Sequence, residues 1–352
     1  KGTERAEAIR AEVAAVRQGC GVIDVSTLGG IDVRGPDAAE FLERLYTFSY
    51  AKQPVGRARY ALMCDQMGAI IDDGVACRLH PNHFYVTATT TGVDRVYQQM
   101  MWWNAQWRMD VDVANVTAAY AGVNLTGPSS RAVLAKLCKD ADLSPGAFPY
   151  MGVRVARVAG IPARLLRVGF VGELGYEIHV PASQGEALWD AILYAGRNFN
   201  VRPFGVEAQR VLRLEKGHII VGQDTDAETT PEEADMAWAI SRKKPFFVGQ
   251  RAIDVLGRAG IKRKLAGFVM PMEAPLVPEE SHLVVREGSI TGRVTSVARS
   301  EAVGKAIGLA YVAPEQANPG TRIAIKAAGG VLVEAEIVKL PFYDPQGQRQ
   351  EM

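Results

Sequence analysis

Residues 60–79 are Tyr60-Ala-Leu-Met-Cys-Asp-Gln-Met-Gly-Ala-Ile-Ile-Asp-Asp-Gly-Val-Ala-Cys-Arg-Leu79. Two apolar arms, 60–64 and 69–79, flank Asp65-Gln66-Met67-Gly68. The stretch predicts a β-hairpin. An Asp at the start of the loop can accept a backbone N–H of the turn, and a Gly at its end accepts a positive φ. The second arm is interrupted by Asp72 and Asp73, a residue type poorly suited to strands. Alternation sends neighbours to opposite faces, so only one of the pair can point inward. An inward carboxylate left unpaired is expensive. Read from the residues alone, both aspartates are expected at a bend facing water; the alternative is one buried carboxylate with a role.

Outward from the hairpin, the chain alternates helices and strands. Apolar periodicity predicts a helix over 6–18. Residues 21–33 predict strand, turn, strand, with Gly29-Gly30 as the turn. Gly35-Pro36 opens a helix over 37–45, because proline at the first helical position loses no intrahelical bond. Leu125-Thr-Gly-Pro, followed by an amphipathic stretch, repeats that unit. A strand is expected over 83–90, then a helix over 93–103, with Trp102, Trp103 and Trp107 as packing or interface anchors. Strands follow at 110–116 and 118–125. His80 and His83 are separated by turn residues with no third ligand nearby, so no metal is expected there.

A strand over 161–168 leads into Gly169-Phe-Val-Gly-Glu-Leu-Gly-Tyr-Glu. Gly169, Gly172 and Gly175 permit close backbone approach by a flat ligand or by another strand. The spacing is not a dinucleotide fingerprint, and a strand follows where a helix should. Glu177 lies in that strand, 176–180, and taken in isolation is an exposed strand residue. Helices are expected over 183–199 and 206–216, and Thr229-Thr-Pro-Glu-Glu looks like a capping box starting another. Asp224 and Asp226 are expected to cap backbone, and the basic run 241–245 to be solvated. Beyond Leu265, six short strands punctuated by Gly and Pro predict a small β-barrel or sandwich.

The chain has 352 residues, 48% hydrophobic and 22% charged, with a formal net charge of +1. That length suits two or three compact units. The balanced charge gives no argument for nucleic acid or a membrane surface. Cys20, Cys64, Cys77 and Cys138 are scattered without a CxxC, which suits reduced thiols in a cytoplasmic compartment.

Several of these motifs together resemble the aminomethyltransferase family, the tetrahydrofolate-binding T-protein of glycine cleavage and its relatives. They are the hairpin over 60–73, Gly172-Glu-Leu-Gly-Tyr-Glu177, Leu212-Arg-Leu-Glu-Lys-Gly217, Thr229-Thr-Pro-Glu-Glu233 and Leu340-Pro-Phe342. Gly21-Val-Ile-Asp-Val-Ser-Thr-Leu-Gly-Gly30 and Glu215-Lys-Gly-His-Ile-Ile-Val-Gly-Gln-Asp-Thr-Asp226 are most similar to one branch. That branch is the folate domain at the C-terminal end of the sarcosine oxidase α subunit and related N-methyl amino acid oxidases or dehydrogenases.

The resemblance implies an α+β fold: a three-subdomain cloverleaf with two α/β subdomains, a C-terminal β-barrel and a central folate channel. The implied division is 1–50 with 118–255, then 51–117, then 262–352. It implies Asp73 as the catalytic carboxylate and Tyr60 as an aromatic wall of the same pocket. Glu177 would grip the pterin's amino-pyrimidine edge, since a carboxylate accepts two parallel N–H donors. Phe170 stands where the family usually has tyrosine. Gln209 replaces an arginine, and the threonine run containing Thr87 replaces an asparagine. These departures weaken the glycine-cleavage assignment more than folate binding itself, and the threonine run resembles the sarcosine oxidase branch. Lys216-Gly-His-Ile219 lacks the cysteine of the relative that serves iron–sulfur assembly.

The implied activity is capture of an imine or aminomethyl carbon as methylene-tetrahydrofolate. No flavin fingerprint is present, so in the sarcosine oxidase reading a flavoprotein partner subunit, or an N-terminal part missing from this sequence, would generate the imine. Two alternatives remain: a free-standing aminomethyltransferase acting with a lipoyl carrier protein, and a folate-binding assembly module without chemistry.

Overall fold

The structure, a computed structural model, describes residues 4–352. In chain order the first elements are α1 (Arg5–Gln18), β1 (Gly21–Asp24), β2 (Gly29–Arg34), α2 (Ala38–Leu45), β3 (Ala58–Cys64), β4 (Ile70–His80), β5 (His83–Ala88), α3 (Val93–Trp107) and β6 (Asp112–Asn115). Next come β7 (Tyr120–Thr126), α4 (Ser130–Leu137), β8 (Val153–Val158), β9 (Ile161–Leu166), β10 (Gly175–Pro181), α5 (Gly185–Ala195), β11 (Arg202–Pro203), α6 (Val206–Glu215) and α7 (Gln250–Ala259). The last are β12 (Lys264–Pro271), β13 (Leu283–Arg286), β14 (Ser289–Ser300), β15 (Lys305–Val312), β16 (Arg322–Lys326), β17 (Leu332–Val338) and α8 (Gln348–Glu351).

The strands form two open sheets and a closed barrel. The first sheet runs β11-β1-β7-β10-β9-β8, the second β3-β4-β5-β2-β6, and the barrel β12-β15-β14-β13-β16-β17. This is the expected α+β architecture. One face of the first sheet buries Val123, Leu125, Leu165 and Ile178 against α4 and α5. One face of the second buries Ile31, Ala76, Phe84 and Val86 against Phe41, Leu42, Val96 and Met100 of α2 and α3. The remaining faces of the two sheets meet through Cys77, Tyr85, Val153 and Leu166, while Val16, Ile23, Ala208 and Leu212 pack α1 and α6 beside that seam.

The hairpin forms as its turn chemistry predicts. Asp65 Oδ1 accepts the N–H groups of Met67 and Ala69, both at 2.9 Å, and Gly68 has φ 83°. A bulge between Met63 and Cys64 offsets the two strands.

Gly29 and Gly30 are not a turn. They lie inside β2, and the reversal occurs at residues 25–28, where Leu28 N–H donates to Val25 O at 3.0 Å. The strands on either side diverge: β1 pairs with β7, and β2 pairs with β5 and β6. The glycines serve close packing, since a Cβ on Gly29 would stand 2.4 Å from Val93 Cβ. The chain thus passes from the first sheet to the second at residues 25–28. The first barrel strand begins at Lys264.

Three other expectations are corrected. Thr230 and Glu233 do exchange the two capping-box hydrogen bonds, at 3.1 and 3.3 Å. No helix follows, because Asp235 takes φ 58° and Met236 N–H closes back onto Pro231 O. The basic run is not all solvated: Lys244 is buried and donates to Tyr46 O and Phe48 O at 2.6 and 2.7 Å. Asp224 and Asp226 do more than cap backbone. Asp224 is fully buried against Arg213, Thr295 and Ser296, and Asp226 pairs with Arg263 through two hydrogen bonds.

Those ion pairs, with the apolar contacts of Leu62, Ile70, Leu214, Leu309 and Tyr311, dock the barrel on the hairpin and α6. A second buried network joins Arg17 of α1 to Glu215 and Glu173, with Ser300 of the barrel also donating to Glu215. The Trp helix continues to Trp107 and stops where Arg108 takes φ 52°. Trp103 and Trp107 stack at 5.0 Å, while Trp102 is exposed. The helix expected over 183–199 is confined to α5, with single 3-10 turns on both sides. Among the described residues no helix is long and apolar enough to cross a membrane.

Candidate active site

Alternation along β4 decides what each aspartate meets. Asp73, Val75 and Cys77 share the face turned toward the first sheet, and Asp72 and Ala76 share the opposite face. Asp72 is buried, accepting Thr89 N–H at 2.9 Å and the Thr89 hydroxyl at 2.7 Å. It sits against the start of α3, where a Cβ on Gly92 would stand 2.5 Å from its carboxyl carbon. Burial raises its pKa above the ordinary value. The pair does not face water, contrary to the residues-alone expectation: one carboxylate fastens a helix and the other is half-buried beside Tyr60.

Asp73 is half-buried. Its Oδ2 accepts the Tyr60 hydroxyl at 2.5 Å. Loss of water raises its pKa to about 6. The Tyr60 hydrogen bond opposes that rise, and the charge of Asp72 adds to it. A carboxylate poised near 6 can hold or release a proton at neutral pH. The Tyr60 phenol is itself pushed well above its usual value, chiefly by burial and then by the Asp73 charge, so it stays a donor. Its ring lies 5.1 Å from that of Trp238, an exposed indole on the 3-10 turn Ala237–Ala239.

Thr87 is on the neighbouring strand, β5, and is 8% exposed. Its Oγ1 accepts Val75 N–H at 2.9 Å, which leaves its own hydrogen free to donate. Gly74 makes this approach possible, since a Cβ there would stand 2.1 Å from Thr87 O.

Glu177 comes from the facing sheet. Its side chain is 13% exposed, and its Oε2 lies 3.3 Å from His179 Nε2. It is near Cys77: burial pushes that thiol up, and the Glu177 charge pushes it further. Cys77 is four residues from Asp73 along β4, a span of about 13 Å at strand rise. Asp73 and Glu177 therefore come from the two facing sheets, offset along β4. Phe170 lies in the loop between β9 and β10. Its ring stacks on His218 at 5.8 Å, and its carbonyl oxygen is 2.7 Å from His218 Nδ1. Burial lowers the His218 pKa, which keeps the imidazole neutral.

The sheets are pinned behind Glu177 by charge. Arg164 makes two hydrogen bonds to Asp32, at 2.9 and 3.2 Å. Its guanidinium lies 4.7 Å from the Tyr85 ring and 4.3 Å from the Tyr120 ring. His83 and Arg34 also reach Asp32. The Asp32 carboxyl is thereby held well below the usual range, although burial opposes this. A cavity of about 370 Å³, lined by His83, Tyr120, Arg164 and His179, opens beside this pin. Sequence reasoning missed Trp238, His218, His179 and the Asp32–Arg164 pair. Only period-two alternation, applied to both sheets at once, could have found the last two.

Residues 2–244 match the GCVT N-terminal domain, and residues 263–344 match the glycine cleavage T-protein C-terminal barrel domain. The chain is 39% identical over 361 residues to the sarcosine oxidase subunit alpha of Corynebacterium sp. (strain P-1), covering 99% of this chain and 37% of that protein. It is 31% identical to the aminomethyltransferase of Thermotoga petrophila, covering 96% of this chain and 90% of that protein. Its fold matches the crystal structure of glycine cleavage system aminomethyltransferase T from Bartonella henselae with a TM-score of 0.86 at 25% identity, covering 96% and 90% of the two chains. The chain belongs to the glycine cleavage T-protein family. It spans little more than a third of the sarcosine oxidase α subunits it matches.

Proposed function

As a member of that family, we propose, this chain transfers a one-carbon unit to tetrahydrofolate, capturing the carbon of an imine or aminomethyl adduct. The observation that supports the reading is a pair of carboxylates on facing sheets. Asp73, held near pKa 6 and hydrogen-bonded to Tyr60, comes from one sheet, and Glu177, little exposed, comes from the other. Tetrahydrofolate supplies the nucleophilic nitrogens when bound. Glu177 accepts two N–H donors of the amino-pyrimidine edge and fixes the ring. Thr87 and Phe170 flank it. Asp73 takes the proton released when a folate nitrogen bonds to the carbon. It returns that proton to the departing amine, and, ionised again, its charge stabilises the cationic centre that the departure leaves. Holding both reactants in register supplies several kcal/mol of barrier reduction without a protein nucleophile.

The amine source in this reading is a flavoprotein partner in a sarcosine-oxidase-like assembly, because the relatives at 39% identity are α subunits of sarcosine oxidase. A second reading is a free-standing aminomethyltransferase working with a lipoyl carrier. The near full-length match to the Thermotoga petrophila protein favours that alternative. Calorimetric titration of tetrahydrofolate into wild type, Asp73→Ala and Glu177→Ala tests the site. Binding is expected in the wild type, retained in Asp73→Ala and lost in Glu177→Ala. No heat and no thermal stabilisation with the wild type would end the reading. Turnover with formaldehyde and a co-purified flavin subunit, or with a lipoyl carrier alone, separates the two carbon sources.

A further inference from the structure

Asn124 lies in the middle of β7, between two strands of the first sheet. It is opposite Ile23 of β1 on one side and Glu177 of β10 on the other. Its neighbours Val123 and Leu125 point into the core beneath α4 and α5, so Asn124 points the other way, toward the cleft. Gly122, two residues back, confirms that face: a Cβ there would stand 3.1 Å from His179 Nδ1.

Asn124 is 6% exposed. Among the described residues its carboxamide has no hydrogen-bond partner. It is also absent from the side-chain atoms that protein encloses without a partner, a group that includes Gln53 Oε1, Asn104 Oδ1 and Gln316 Oε1. The amide is therefore accessible on the face it shares with Glu177, one strand away. Nearly all buried polar side chains are hydrogen-bonded, so an open amide here has its partner outside the protein.

We propose that Asn124 is a second recognition group for the heterocycle that Glu177 holds. The proposal rests on the folate reading. Glu177 offers only acceptors. Asn124 offers the missing donor, with an acceptor beside it. The two together match an aromatic edge on which ring N–H and amino donors stand next to a carbonyl oxygen. Glu177 takes the donors, and the Asn124 amide donates to the adjoining oxygen. A ligand with donors only would leave the amide unused.

The test compares tetrahydrofolate affinity with unliganded melting in wild type, Asn124→Leu, Asn124→Ser and Glu177→Gln. An amide that serves only the ligand gives opposite changes. Asn124→Leu should melt no lower than wild type without ligand, because it replaces an unpartnered polar group by an apolar one of similar size. Its dissociation constant for tetrahydrofolate should rise about tenfold, the effect of one lost hydrogen bond. Asn124→Ser, which adds no bulk, should show the same loss and so exclude a steric cause. Wild-type affinity in both variants, with Glu177→Gln still weakened, would overturn the proposal and leave the folate reading standing; the amide would then hold only solvent. Absence of binding by the wild type would overturn both.

Discussion

Tyr60 and Asp73 are diagonal neighbours on adjacent strands: Tyr60 lies opposite Val75 and Leu62 lies opposite Asp73, and the phenol crosses that offset to reach the carboxylate at 2.5 Å. Diagonal pairs of this kind are within reach of long aromatic side chains. The contact leaves the other carboxylate oxygen free for a reactant. It also makes Tyr60 the side chain that limits how far burial can raise the Asp73 pKa.

Asp73→Asn should keep folate affinity within a few-fold and lower one-carbon transfer by roughly 10²–10⁴, the usual worth of a positioned proton-transfer group. Single-turnover rates measured beside calorimetric binding check this. Unchanged transfer would remove Asp73 from the chemistry.

The same substitution should stabilise the unliganded fold at neutral pH. The folded pKa of Asp73, about 6, lies above the ordinary carboxylate value. Ionising it therefore costs stability as pH rises through that window, by about 3 kcal/mol when complete. Asp73→Asn should melt higher than wild type at pH 7.5, with the difference shrinking as pH falls from 6 to 4. A constant difference across that range would place the effect elsewhere.

Tyr60→Phe removes the hydrogen bond that favours the charged carboxylate. The acid limb of the transfer pH profile, expected near pH 6 in the wild type, should move to higher pH. A limb that stays or moves down would mean that Tyr60 is a wall only.

Arg164→Met leaves Asp32 without its two-point partner and should cost about 3 kcal/mol in urea or thermal unfolding. Asp32 is held below the usual carboxylate range, so its contribution is present above that range and lost as pH falls through the depressed value. The loss in Arg164→Met should accordingly be largest at neutral pH. Asp32→Val with Arg164→Met should recover much of the stability; a double variant worse than either single one would contradict the pairing.

Asp224→Ala strips the acceptor shared by Arg213, Thr295, Ser296 and Ile220 N–H. About 3–5 kcal/mol of destabilisation is expected from the stranded Arg213. Limited proteolysis should cut first between α7 and β12, where the chain enters the barrel. Wild-type resistance there would assign barrel docking to the apolar contacts alone.

The elements with strong local signals were legible from the residues. The hairpin announced itself through Asp65 and Gly68, and the barrel strands through short apolar runs between Gly and Pro. What failed had non-local causes. Gly29-Gly30 has turn composition, but the glycines answer to Val93 and Tyr85, which approach from distant parts of the chain. The 229–233 capping box formed, yet Asp235 ended the helix before it began. The two aspartates, weighed one strand at a time, looked solvated. Their real surroundings come from Thr89, Tyr60 and the opposing sheet. Glu177 was an ordinary strand residue until a second sheet faced it.

The alternation that parts Asp72 from Asp73 makes the hairpin's register decide which carboxylate stands beside Tyr60 and which at the start of α3. A slip of one residue in β4 would exchange the two carboxylates. The cleft would receive a group with no phenol to steady it, and α3 would lose the acid that fastens its first turn. Two devices guard against that error: the bulge at Met63–Cys64 and the Asp65–Gly68 turn, on which Gly249 closes so tightly that a Cβ would stand 2.4 Å from Asp65 O. In the proposed reaction, a residue remote from the reacting atoms thus has a stake in the proton transfer. Sequence changes at Gly249 or Gly68 should surface first as misregistered, inactive protein of nearly native shape.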